Sequence, residues 1–358
     1  MALMKQIAAL DGGTLSVPSL TTAYLPSPAD AYNFFLQSRC YILAEGQSAA
    51  RLKVTFDFAG ELTEWYVYPD VNGTAYIPLN DILAYRFQRQ HFDTIGIVGT
   101  SGTIDVDAVD GDGSVLDSVS ITANIYDCAG LRGGYPMSGF CHLLPDNFRV
   151  PASIGFNPFV NVGCRLTAGC NLVVLNSGGS DYMYYQQDAG GEAVGVTLKL
   201  KGQPAYMRVY NDAVTPDPAS LAAEARFELV DCMDDKLLLT WWSVEDGFYK
   251  SRVADVVGGG SNHLNAIDYI HEFEGRTDKD ADTYVAARFA NLTRRDYDYY
   301  KDLLMSDEIY VAAPMDLADT PAELTSMPVR IDGNVPQRKE PQPTTIDFNV
   351  IFNKYSEL

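Results

Sequence analysis

The sequence predicts a mainly β protein: two β-sandwich-like domains, a long irregular connection between them, and a short helix near the C-terminus. Three observations lead there. Apolar and polar residues alternate with period two, as in "RLKVTFDF" over 51–58. The strand-like runs are divided by turn dipeptides such as Asn72-Gly73 and Asp246-Gly247. Helical spacing stands out near the end, around Thr293 to Leu304.

Taken in order, residues 1–35 read as an N-terminal arm and 36–127 as the first sandwich-like domain. Leu52, Val54, Phe56 and Phe58 share one strand face, with "EWYVY" as the next strand. "TAYIPL" leads into "NDILAYRF", where Asn80 is placed to cap a short helix; "TIGIV" and "GTIDVDAV" read as strands. The acidic stretch "DVDAVDGDGSVLD" raises the question of a calcium loop. Setting Asp110, Asp112 and Gly113 in register leaves Ala108 and Val119 at the two ends, which need carboxylates. The stretch therefore reads as a solvated hairpin tip.

Residues 128–191 are dense in glycine, proline and cysteine and read as an irregular connection. A second β-rich domain is expected over 192–285, then a short helix plus terminal strands over 286–358. In "KLLLTWW", Trp241 lies with Leu237 and Leu239, and Trp242 with Leu238 on the other face. Burying one tryptophan contributes at most about 4–6 kcal/mol. Both faces must then be covered, by the domain itself or by a neighbouring subunit. Thr293 caps the helix, Asp296 sits in its first turn, and Tyr297, Tyr300 and Leu304 form a stripe that must dock on something.

The chain carries 47 acidic against 26 basic residues, a net charge of −21. Such a surface repels phosphate, so direct nucleic-acid binding is not expected, whereas basic partners would be steered toward it. No run is apolar enough for a membrane helix. "MALMKQIAALDGG" is too short and weakly apolar for a signal peptide, so a soluble protein made in a cytoplasm is expected. Cys40, Cys128, Cys141, Cys164, Cys170 and Cys232 lack zinc-site spacing and read as reduced, mostly buried thiols.

Chemistry is sparse. His91, His142, His263 and His271 form no ligand motif. "GTSGT" around Ser101 lacks the spacing of a nucleophile elbow, and "VVGGGSNH" lacks that of a phosphate loop and reads as a turn. No catalytic residue, metal ligand or cofactor is assigned. The surplus is in aromatics, with 22 tyrosines. "DYMYYQQD" puts Tyr182 and Tyr184 on one strand face. The candidate contact residues are Trp241, Trp242, Tyr182, Tyr184, Tyr297, Tyr300 and Leu304.

Two stretches, "RCYILAEGQSAARLKVTFDFAGELTEWYVYPDVNGTAYIPLNDIL" and "ANLTRRDYDYYKDLLMSDEIYV" with its sequel to "TIDFNVIFNKY", carry a resemblance. With the tryptophan hairpin between them, they resemble the β-rich virion structural proteins, of tail or baseplate type, of phages and prophages of gut Bacteroidetes. The resemblance implies a non-enzymatic virion component, made in the bacterial host cytoplasm. Its partners would be copies of itself and other virion proteins. Trp241, Trp242, Leu303, Leu304 and Ser306 hold the matching places. Two other readings stand beside it. A carbohydrate-binding β-sandwich protein would show an exposed aromatic platform, and a glycoside hydrolase would show two facing carboxylates in a cleft.

Overall fold

The computed structural model describes residues 4–10, 13–18, 31–37, 40–58, 60–83, 99–128, 131–132, 135–136, 144–152, 161–166, 170–176, 181–186, 194–199, 204–211, 218–231, 235–263, 281–312, 326–333 and 344–352. It is mainly β, with one short helix near the C-terminus. The expected strand "TIGIV", His91, His142 and His271 lie outside the described residues. No described helix is long and apolar enough to cross a membrane.

The first sandwich holds β1 (Met4–Leu10), β2 (Gly13–Pro18), β3 (Ala31–Phe35), β4 (Tyr41–Glu45), β5 (Arg51–Phe58), β6 (Glu61–Val67), β7 (Ala75–Pro78), helix α1 (Leu79–Leu83), β8 (Gly99–Val109) and β9 (Val115–Tyr126). One sheet runs β1-β2-β4-β7 and the facing sheet β3-β9-β8-β5-β6. Alternation dictates the packing: Leu52, Val54 and Phe56 meet Ile104, Val106, Ile42 and Ile77 in one core. The stretch expected as an N-terminal arm is part of this sandwich. Leu10, Leu15 and Val17 enter its core, and β3 pairs parallel with β9 some ninety residues downstream. That pairing leaves no local signal.

Asn80 lies inside α1 rather than capping it. Its carboxamide accepts the Cys40 N–H at 2.8 Å and donates to the Leu36 carbonyl, tying two segments together. The acidic stretch forms the β8–β9 hairpin. Asp110 Oδ1 accepts the N–H groups of Asp112 and Ser114 at 2.9 and 2.8 Å, and Gly113 takes φ +91°. "DVNGT" repeats the device: Asp70 Oδ1 accepts from Asn72 and Thr74 at 2.8 and 2.9 Å, with Gly73 at φ +74°.

Residues 128–191 differ from the expected irregular connection. They contain β10 (Leu131–Arg132), β11 (Tyr135–Pro136), β12 (Asn147–Pro151), β13 (Asn161–Leu166), β14 (Asn171–Asn176) and β15 (Asp181–Gln186). With β16 (Val194–Lys199), β17 (Pro204–Tyr210) and β18 (Leu221–Val230) they build a sheet β12-β18-β17-β14-β15 and a β13-β16 pair. The strands are short; β10–β11 and β14–β15 pair with sequence neighbours, whereas β12 pairs with β18 and β13 with β16 across longer stretches of chain.

The last part is a closed six-stranded barrel, β19-β20-β21-β24-β23-β22. Its elements are β19 (Lys236–Trp242), β20 (Tyr249–His263), β21 (Ala281–Leu292), helix α2 (Arg294–Tyr300), a 3-10 turn over Lys301–Met305, β22 (Ile309–Ala312), β23 (Ser326–Gly333) and β24 (Thr344–Phe352). The expected boundary between 285 and 286 falls inside β21, and the barrel unites both sides of it. "VVGGGSNH" is strand, not turn: Gly258, Gly259 and Gly260 pair with Ala286, Val285 and Tyr284. Barrel and preceding sheet share one core, in which Phe148, Leu172 and Met207 join Leu238, Trp241, Phe289 and Val350.

Candidate functional site

Ionisable side chains concentrate at one buried place. Lys250 on β20, 1% exposed, sits between helix α2 and the β19–β20 turn. Its ammonium donates to Asp246 Oδ2 at 2.7 Å, Asp302 Oδ2 at 2.8 Å and the Tyr299 carbonyl at 2.7 Å. All three of its donors are used. Its Nζ also lies 4.3 Å from the Tyr299 ring centroid. Asp302 accepts from the Trp241 indole N–H at 3.2 Å and from the Ser243 hydroxyl. Ser243 Oγ in turn accepts the Asp246 N–H at 3.0 Å. Beside the cluster, burial pushes the Glu245 carboxyl up, an effect opposed by Lys301 at 3.8 Å. A sealed lysine with every proton committed has no free valence for a substrate. Its work is to fasten the end of the barrel.

A second cluster fastens the preceding sheet to the same helix. Asp296 Oδ1 accepts the N–H groups of Asp146 and Asn147, entering β12, at 2.8 and 3.0 Å. Its Oδ2 accepts the Thr293 N–H at 3.1 Å while Thr293 Oγ1 accepts the Asp296 N–H, a complete capping box. Arg252, buried, donates to the Asn147 carbonyl at 3.1 Å and lies 4.5 Å from the Tyr300 ring. Tyr300 donates to the same carbonyl at 3.0 Å. Next to this joint is an open cleft of about 540 Å³, lined by Asn147, Glu224 and Arg226 among others. At its wall Arg295 is held by Asp146 at 2.8 Å.

Of the candidate contact residues, Trp241 is 0% and Trp242 5% exposed, and Tyr297 and Tyr300 are buried. The two-faced strand is covered on both sides, as its pattern requires, and its own chain does the covering. Trp241 packs in the main core against Phe289 and Tyr300, and Trp242 edge-on against Tyr249 at 5.0 Å. The helical stripe docks on the barrel, where Leu304 packs partly buried against the core. These residues are therefore not contact surface in the single chain. Tyr182 and Tyr184 lie on β15, whose side chains are outside the described residues.

Exposed apolar surface gathers elsewhere. Strand β6 is the outer strand of its sheet, and Leu62, Trp65, Tyr66 and Tyr68 on or just after it are exposed, as are Val71 and Tyr76. The Asp70 turn carries the chain from β6 to β7, the outer strand of the facing sheet. Among the described residues, no strand pairs beyond either edge on this side of the sandwich. Tyr76 stacks on Tyr41 at 4.8 Å, and the Arg51 guanidinium lies 5.1 Å from the Tyr66 centroid. Val115 and Leu116 at the start of β9 are exposed too, with β8 and β5 lying between them and β6. Leu62 and Tyr66 share the outer parity of β6 and Trp65 the inner one, so a rim of exposed apolar side chains flanks this edge strand on both faces.

Comparison with known proteins gives no family. No family model matches the chain, and no curated protein matches it. Among solved structures, the BSP domain of a biofilm-associated protein is 11% identical at TM-score 0.17, over 58% of this chain and 30% of that one. Fibronectin(III)-like modules of Clostridium thermocellum CbhA are 13% identical at TM-score 0.17, over 58% of this chain and 93% of theirs. A tetra-tandem repeat from the extending region of a large adhesion protein is 14% identical at TM-score 0.23, over 80% of this chain and 71% of that one. Overlap this low carries no argument about function.

The sequence reading missed the rim and the Lys250 cluster for different reasons. "EWYVY" reads as the next strand, and only the sheet order reveals that no described strand lies beyond it. Lys250, Asp246 and Asp302 are scattered among many charges, and no spacing marks them as partners.

Proposed function

We propose that this protein is a non-enzymatic structural component that assembles through protein–protein contacts, using the aromatic rim of its first sandwich. The observation that carries this reading is the edge strand β6 with Leu62, Trp65, Tyr66 and Tyr68 exposed along it. The buried charged clusters around Lys250 and Asp296 are spent on fastening the fold, while Leu62, Trp65, Tyr66 and Tyr68 are left exposed outside it. Membership of a phage particle, in a tail or baseplate, is the finer form of this proposal and rests on the sequence resemblance. Electron microscopy of the native particle tests it. The expected result is the rim buried against a neighbouring protein. A chain missing from the particle, or a rim facing solvent within it, overturns the proposal.

A second reading takes Tyr66, which lies on the outer parity of β6 opposite Lys53, as a stacking surface for sugar rings. A glycan array with the wild type and Tyr66→Ala decides it: glycan binding lost in the variant supports this reading, and no binding removes it.

A further inference from the structure

We propose that β6 pairs edge to edge with β6 of a second copy, antiparallel, about a two-fold axis at Trp65. The inference rests on the assembly reading above and names the partner. Sheet edges are normally blunted. In the first sandwich the other edges are: β1 carries a bulge between Gln6 and Ala9, β7 has four residues and ends in Pro78, and β3 has five. Strand β6 has seven residues in unbroken register with β5, from Leu52↔Val67 to Phe58↔Glu61, with no proline, lysine or bulge. No described strand pairs with its other side.

Charge and register choose the occupant. Of the two carboxylates on β6, Glu64 is neutralised by Lys53 at 2.6 Å, so the edge is nearly neutral on a very acidic protein. A basic partner would find little to bind there; an identical edge meets little repulsion. Centring the pair on Trp65 sets Leu62 opposite the partner's Tyr68, Thr63 opposite the partner's Val67, and Glu64 opposite the partner's Tyr66. Apolar groups then meet and no like charges face each other. Centring on Glu64 would set carboxylate against carboxylate. Trp65 shares the parity of Val54, a core residue, so the pairing extends the sandwich core through a tryptophan that is 45% exposed in the single chain.

Sedimentation of the purified full chain at low and high salt tests this. We expect a dimer that strengthens with salt, because screening weakens the repulsion between two chains of net charge −21. Trp65→Lys and, independently, Leu62→Lys should weaken it about tenfold or more with unchanged circular dichroism. Mild oxidation should link Trp65→Cys into a covalent dimer, and Thr63→Cys far more slowly, because Thr63 does not face its own copy. A monomer at all concentrations and salts, a dimer indifferent to both lysine variants, or equal cross-linking of the two cysteine variants overturns the inference. If the purified chain stays monomeric while the native particle buries the rim against another protein, this inference falls and the assembly reading stands.

Discussion

At the scale of the residue, buried charge decides more than exposed charge. Lys250 neutralises two carboxylates that have no access to water, so removing it strands both. Lys250→Met should cost about 3–5 kcal/mol in urea unfolding, and adding Asp302→Leu should restore part of that loss. A Lys250→Met variant as stable as wild type would show that the cluster contributes nothing. Glu245 has the opposite sign. Burial holds its folded pKa above the usual 4.5, so its charged form is the costly one in the fold. The cost is absent at low pH, where the group is protonated folded and unfolded, and appears as pH rises through the folded pKa. Glu245→Gln should therefore raise Tm at neutral pH and lose that advantage on acidification. Asp255 runs the other way: the hydrogen bond from Arg149 at 2.7 Å lowers its pKa, so its contribution is present at neutral pH and lost as pH falls through the lowered value. Burial also pushes the Cys40 thiol up, which keeps it protonated. Alkylation followed by mass spectrometry should label Cys40 only after denaturation.

At the scale of the element, helix α2 is a fastener between two sheets. Thr293→Ala removes an N-cap and should cost about 1 kcal/mol. Asp296→Ala removes the reciprocal half of the capping box and also the acceptor for two N–H groups of β12, so it should cost about 2–3 kcal/mol. Hydrogen exchange separates the two: the amides of Asp146 and Asn147 should exchange faster in Asp296→Ala and much less so in Thr293→Ala. Equal exchange in both variants would mean the helix does not hold β12. The Thr293 cap and the first-turn place of Asp296 were legible in the sequence, and the structure adds the reciprocal bond that completes the capping box. The grip on β12 was not, since it spans about 150 positions of chain.

At the scale of the whole molecule, there are two main cores rather than one. The first sandwich buries Leu52, Val54 and Phe56 in its own core, while the second sheet and the barrel share another. Calorimetry should resolve two transitions, and Lys250→Met should lower only the one belonging to the barrel. A single transition shifted as a unit would show that the two cores unfold together. The last strand of the first sandwich, β9, ends at Tyr126, close to the expected boundary after residue 127. The expected boundary after residue 191 is crossed by the sheet β12-β18-β17-β14-β15, and the one after 285 falls inside β21 of the closed barrel.

Period-two alternation, turn dipeptides and a capping pair are local, and they determined by themselves that the chain is mainly β, where most strands run, and that both tryptophans need cover. Tertiary structure alone decided what covers them, that glycine-rich stretches pair as strands, that Lys250 joins Asp246 and Asp302, and that β6 is left at an edge. The physical reason is one of range. Backbone conformation and amphipathic faces follow from neighbours a few residues apart, whereas strand order and burial depend on partners brought together from across the chain.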